Sequence, residues 1–241
     1  MALNLVMLGP PGAGKGTQAE RFAREHGIPK VSTGDILREA VQSGTPLGRL
    51  VQALMERGEL VGDDLIVDIV RERLSRPDAV GGFVLDGFPR TVPQANALDE
   101  LTASRGPVVV VEIRVPDEEL VARVRARRVC ADCGANAGAF ASGPAALPDV
   151  CQHPGQCRSV GPKWIARSDD SEGIVRERLK VYWRDTRPMI AHYSGRPTFR
   201  AIDGQGPPEA VREALSTAVA SALGVTPKDL PGRPRRMESQ A

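Results

Sequence analysis

The chain has 241 residues, 41% hydrophobic and 26% charged, with a formal net charge of +2, enough for one substantial core carrying small inserts. That charge is too balanced to point to a nucleic-acid or lipid partner, and no apolar run reaches the length of a membrane span. The start, Met1-Ala2-Leu3-Asn4, lacks the basic residues and long apolar stretch of a secretory signal, so a cytoplasmic protein is expected.

Residues 3–8 form a strand-sized apolar run that ends in a Gly/Pro cluster, and a helical pattern follows from 15 to about 26. A second strand fits 29–31. Ser32, Thr33 and Asp35 then supply cap-type side chains for a helix through 41. Further helices read over 46–57, closed by Gly58, and over 63–76. An apolar run at 83–86 closes on Asp86, and a helix over 92–104 precedes the strongest strand pattern, 108–115. Pro116 and Asp117 open a helix carrying Arg123 and Arg127. From 129 to 163 the pattern breaks into Gly, Pro, Ala and Cys, which reads as an inserted subdomain. A long helix is expected from 169 towards 192, then a strand at 198–202 and a last helix over 208–223. Strands alternating with helices predict an α/β fold, a doubly wound parallel sheet covered on both faces. Residues 226–241, rich in Pro and Arg, are expected to be disordered.

Residues 9–17 read Gly-Pro-Pro-Gly-Ala-Gly-Lys-Gly-Thr between the first strand and the first helix. A loop that wraps phosphate needs small residues, here Gly12, Ala13, Gly14 and Gly16, so that backbone N–H groups can converge on oxygen. The helix N-terminus adds its own donors and its positive dipole end. Lys15 can bridge the β- and γ-phosphates as a point charge. An ordinary Gly-rich turn is the alternative, but spacing, lysine and strand–helix context all agree on the phosphate loop. The general pattern ends Gly-Lys-Ser/Thr, whereas here Gly16 follows Lys15 and the hydroxyl comes at Thr17. That form closely resembles the adenylate kinase version of the P-loop.

From there the resemblance covers almost the whole chain. It implies a P-loop NTPase core at 1–31, 62–125 and 171–225, a helical AMP-binding insert at 32–61 and a lid insert at 126–170. By the match, ATP lies on residues 12–17 with Arg123, Arg127 and the backbone at Gly206. Thr33 meets the adenine or ribose side of AMP and Arg38 its phosphate, while the backbone of Glu59, Leu60 and Val61 borders sugar and base. The segment Gly87-Phe88-Pro89-Arg90 places an arginine on the AMP phosphate, and Gln94 reads the adenine edge. Arg167, near the end of the lid, and Arg178, beyond it, match further phosphate-contacting positions on the AMP side. Lys15, Arg90, Arg127, Arg167 and Arg178 are therefore the expected catalytic cations, since guanidinium groups bind phosphate through paired hydrogen bonds. Arg125 and Arg176 match nothing and read as surface charges. Asp86 either holds Mg²⁺, directly or through water, or forms a turn with Gly87. Asp169 and Asp170 either restrain the arginines in the absence of nucleotide or cap a helix.

Four cysteines in a cytoplasmic chain point to metal binding or inert thiols rather than disulfides. Cys130 and Cys133 form a C-x₂-C knuckle, half of a zinc site, and lids of some adenylate kinases carry two. The second half departs from that pattern, because five residues including His153 separate Cys151 from Cys157. Cys157 completing a structural Zn²⁺ site, His153 replacing it, and leftover thiols all stay open. Where similar sequences place an aromatic residue after the first knuckle, this chain has Asn136 and Ala137.

The resemblance implies Mg²⁺-dependent transfer from ATP to AMP, ATP + AMP ⇌ 2 ADP, by a monomer with no nucleic-acid or membrane partner. A phosphate monoester's second pKa is about 6, so AMP needs no general base, and the three His offer none that is apparent. Kinases of UMP and CMP generally carry a short lid, so the long 129–163 insert favours AMP. A zinc-ribbon nucleic-acid-binding ATPase would leave the 87–90 segment and Gln94 unexplained.

Overall fold

Leu3–Leu8 (β1) is buried at every position, as only a strand covered on both faces can be. Lys15–His26 (α1), Lys30–Ser32 (β2), Thr33–Gln42 (α2), Pro46–Arg57 (α3) and Asp63–Ser75 (α4) follow. Gly82–Asp86 (β3), Val92–Thr102 (α5), Val108–Arg114 (β4) and Asp117–Ala126 (α6) continue the alternation. Val129–Cys130 (β5) pairs antiparallel with Trp164–Ile165 (β6). Glu172–Val181 (α7), Arg187–Ser194 (α8), Phe199–Asp203 (β7) and Pro208–Leu223 (α9) come last. This computed structural model describes residues 2–132, 136–137, 157 and 163–232.

The main sheet has the order β2-β3-β1-β4-β7, parallel throughout. Side chains alternate across a strand. Leu3, Leu5 and Met7 accordingly pack with Phe22 and Val219, while Val6 and Leu8 pack with Phe83, Leu98 and Tyr193. Two helical layers thus cover the two faces, and the fold is the expected doubly wound α/β one. Chain order reverses at β1, and ligands of such sheets bind at that switch point, beyond the carboxyl ends of the strands. Register sets Asp86 opposite both Met7 of β1 and Ser32 of β2, so three strand ends converge on the loop after β1.

Two expectations change. The long helix begins at Glu172 rather than 169, and a π-helical turn at Tyr182–Thr186 separates α7 from α8. Pro188 explains the interruption, because it has no N–H and its ring would collide with the carbonyl four residues back in a regular helix. Residues 226–232 are also ordered, against the disorder expected from 226 onward. Leu230 is 3% exposed within the core, and His26 Nδ1 lies 2.7 Å from the Pro231 carbonyl oxygen. Residues 233–241 lie outside the described residues. Among the described residues no helix is long and apolar enough to cross a membrane.

Candidate active site

The loop between β1 and α1 needs its glycines. Gly12 has φ +90, and a Cβ there would come within 3.0 Å of the Leu120 carbonyl oxygen and 2.9 Å of Val124 Cγ2 on α6. Gly14, at φ 95, is the N-cap of α1 and offers no capping side chain, which leaves the first-turn N–H groups to an external anion. Lys15 folds back on the loop and donates from Nζ to the carbonyls of Gly9 (2.7 Å) and Pro10 (2.9 Å). Burial pushes its pKa down to about 8; Asp86 pulls the other way, while Arg90, Arg178 and Arg127 lower it further.

Across the strand ends, the Ser32 hydroxyl caps α2 by accepting from Asp35 N at 3.2 Å. Thr33 therefore does no capping and donates instead to the Gly87 carbonyl at 2.9 Å. Gly87 has φ +81, and a Cβ there would meet Arg90 Nη2 at 3.0 Å and Thr33 Oγ1 at 3.2 Å. Arg90 donates from Nε to the same carbonyl at 2.8 Å, which fixes the plane of its guanidinium. Phe88 and Pro89 are buried behind it. Glu59, Leu60, Val61, Thr33 and Gln94 line a small cavity of about 60 Å³ that Arg38, Arg90 and Arg178 border.

The arginines meet where the sequence could not bring them. Arg127 pairs with both carboxylate oxygens of Asp170, its Nε at 2.7 Å, and Arg178 pairs with Asp169 at 3.0 Å. Arg38 pairs with Asp35 and reaches Asp169 at 3.5 Å. Arg167 lies 3.9 Å from Asp35 and donates to Asn136 Oδ1 at 3.4 Å. Arg123 donates to the Gly204 carbonyl at 2.9 Å, next to the loop holding Gly206. Asp169 and Asp170 thus restrain arginines, and no side chain caps α7. Arg125 and Arg176 both pair with Glu172 at the exposed surface.

A cavity of about 120 Å³ lies above the phosphate loop, with Asp86 and Asp35 facing eight cationic side chains among the described residues. A larger space of about 920 Å³, bordered by α2, α3 and the β5–β6 insert, shares Lys30, Asp35, Arg38 and Arg167 with it. Such a surplus of half-buried positive charge can bind anions. Burial followed by repulsion from Arg38 and Arg127 brings Arg167 down to about 10. Arg178 also falls to about 10, through burial first, with Asp169 opposing and Arg127 and Arg90 assisting. Burial alone would raise Asp35, but Lys30 and Arg38 hold it well below the usual carboxylate range. Lys30, which nothing in the sequence singled out, lines the cavity, as does Asn136, noted in the sequence only as a departure from an aromatic.

In the insert, Cys130 Sγ lies 3.5 Å from Cys157 Sγ. The Asp132 carboxylate joins them in a group whose ligand atoms all lie within 4.8 Å of one another. Cys133, Cys151 and His153 lie outside the described residues.

The family model for adenylate kinase matches residues 7–197. The chain is 44% identical over 224 residues to an adenylate kinase of Moorella thermoacetica, covering 92% of this chain and 98% of that one. It is 45% identical over 204 residues to one from Archaeoglobus fulgidus (84% and 91%). Over 221 residues it is 44% identical to one from Acidothermus cellulolyticus (91% and 97%).

Proposed function

The chain belongs to the adenylate kinase family, and from that premise we propose which of its residues perform ATP + AMP ⇌ 2 ADP. It is a phosphotransferase whose substrates are ATP and AMP. The ATP phosphates lie on residues 12–17, where Lys15 leaves the carbonyls of Gly9 and Pro10 for phosphate oxygen. Arg123 and Arg127 hold the same nucleotide, with the backbone at Gly206 beside its base. Thr33, Glu59, Leu60, Val61, Gln94 and the 87–89 segment hold the base and sugar of AMP, and Arg38 and Arg90 take its phosphate. Arg167 and Arg178 lie between the two nucleotides.

The observation that carries this reading is the cavity above the loop, where cations from separate stretches of chain outnumber carboxylates. Two polyanions can be brought into line there without mutual repulsion dominating. AMP attacks as an oxyanion already formed near neutrality. Asp35, Asp169 and Asp170 occupy the arginines until phosphate replaces them. The Arg38–Asp169 and Arg167–Asp35 pairs span the 32–61 and 126–170 segments, which supports reading these as two inserts that close over the core and exclude water. Every proposed site residue lies within one chain, so a monomer would suffice for the reaction.

Magnesium bound with ATP would neutralise charge on the β- and γ-phosphates. Asp86 and Thr17 offer the hard oxygens that such an ion takes. A Cβ on Gly16 would lie 3.2 Å from Asp86 Oδ2, so the glycine keeps room between carboxylate and loop.

Lys15 supplies the test of the loop assignment. With its free-enzyme pKa near 8 and phosphate raising that value on binding, its contribution to affinity is complete below pH 8 and lost above it. The Kd for ATP is expected to rise roughly tenfold between pH 7 and pH 9, where about a tenth of the lysine stays protonated. Lys15→Arg should flatten that dependence. A wild-type affinity that does not change with pH would count against Lys15 as the phosphate ligand.

The lid is further proposed to bind one structural Zn²⁺ through Cys130, Cys133, Cys151 and Cys157. The 3.5 Å approach of Cys130 and Cys157 supports it, since thiolates so close together suit a shared metal. Protein purified without a His-tag is expected to carry one equivalent of zinc, and chelation should lower Tm before it lowers turnover. Substoichiometric metal together with four thiols reactive in the folded protein would mean that the site has been lost.

A further inference from the structure

A glutamine amide that reads a purine has an ambiguity. Turning it by 180° exchanges donor and acceptor. A 6-aminopurine presents a ring-nitrogen acceptor beside an amino donor, and a 6-oxopurine presents an N–H donor beside a carbonyl acceptor. An amide free to turn satisfies both, so glutamine alone does not distinguish AMP from IMP.

Gln94 is not free to turn. It is 2% exposed, its Nε2 donates to Asp63 Oδ1 at 2.8 Å, and its Oε1 accepts from the Arg90 backbone N–H at 2.8 Å. Asp63 is held in turn by the Thr91 hydroxyl, which donates to Oδ2 at 2.9 Å, and Thr91 Oγ1 accepts from Gln94 N at 3.3 Å to cap α5. An ionised carboxylate offers acceptors only, and a backbone N–H donates only. Turning the amide would set oxygen against oxygen at Asp63 and N–H against N–H at Arg90. Because the side chain is buried, water cannot repair either contact, and such unmade bonds are costly. In the observed orientation one Nε2 proton and one Oε1 lone pair remain, the pairing that a 6-aminopurine edge requires.

We propose that Asp63 is a specificity-determining positioning residue, which locks the Gln94 amide so that the monophosphate pocket accepts 6-amino and rejects 6-oxo purine nucleotides. The proposal rests on the reading above that Gln94 faces the base. Helix stabilisation alone does not account for the arrangement. Asp64 shares the first turn of α4 and is exposed, whereas Asp63 turns inward onto Thr91 and Gln94.

The test measures kcat/KM for AMP and for IMP, with ATP as donor, in wild type, Asp63→Asn, Asp63→Ala and Gln94→Ala, alongside thermal melting. The asparagine variant is isosteric, and its side-chain amide can itself donate to a turned Gln94; the alanine variant removes the Asp63 contact and leaves Gln94 only the Arg90 N–H. Both are expected to lower the AMP/IMP ratio at least about tenfold, mainly through KM, and to raise kcat/KM for IMP in absolute terms. A merely loosened site cannot produce that increase. A ratio that falls in Gln94→Ala but holds in both Asp63 variants would overturn the lock while leaving the base reading intact. A ratio unchanged in Gln94→Ala would remove the base reading, and the proposal with it.

Discussion

Lys15→Met is expected to lower turnover about 10³-fold, a loss of roughly 4 kcal/mol of transition-state stabilisation, while leaving the fold intact. The two effects separate because Lys15 does little for the free protein. Its Nζ bonds only loop carbonyls, and burial among Arg90, Arg178 and Arg127 brings its pKa from 10.5 to about 8. A base whose pKa drops on folding is less favourable charged in the folded state than in the unfolded chain. Removing that charge at pH 7 should therefore leave Tm unchanged or raise it. Backbone donors of the loop and α1 still bind phosphate, so ATP affinity should fall much less than kcat. Retention of more than roughly a tenth of wild-type turnover would sink the assignment.

Contiguous features were legible in the sequence, and the long-range pairings were not. The loop after β1 and the carboxylate ending β3 each declare themselves within a few residues. Strand and helix periods recover the sheet, because each depends on local spacing. The capping of α2 falls to Ser32 rather than Thr33, which leaves the Thr33 hydroxyl available to Gly87. Asp63 and Gln94 are thirty-one positions apart, and nothing near either residue signals the other. Asp169 and Asp170 could be read as caps or as restraints until their distances to Arg178 and Arg127 decided it. Leu230 stands almost alone in a Pro/Arg-rich stretch, so composition hides its place in the core. Gly232, at φ +81, has no room for a Cβ, which would fall 2.0 Å from the His26 carbonyl oxygen.

Arg90→Ala is expected to weaken AMP about 10²-fold, roughly 3 kcal/mol from the loss of a paired charge-assisted contact, and to leave ATP within about threefold. The side chain borders the base cavity and the phosphate cavity alike. With Nε tied to Gly87, its Nη groups are set to take two phosphate oxygens. Truncation should not damage the protein. Burial already disfavours the charge by more than the attraction of Asp86 restores, and repulsion from Arg38 adds to that cost; the Gly87 carbonyl keeps the Thr33 hydroxyl as donor. Gln94 is held through the Arg90 backbone N–H, which alanine retains, so the AMP/IMP ratio should survive while KM for both rises. Isothermal titration with each nucleotide separately, with kcat/KM for the two monophosphates, reads all of this. Equal weakening of ATP and AMP would mean that the two sites are reversed or the variant misfolded. A collapsed AMP/IMP ratio would mean that the guanidinium itself, and not the backbone beside it, orients the amide.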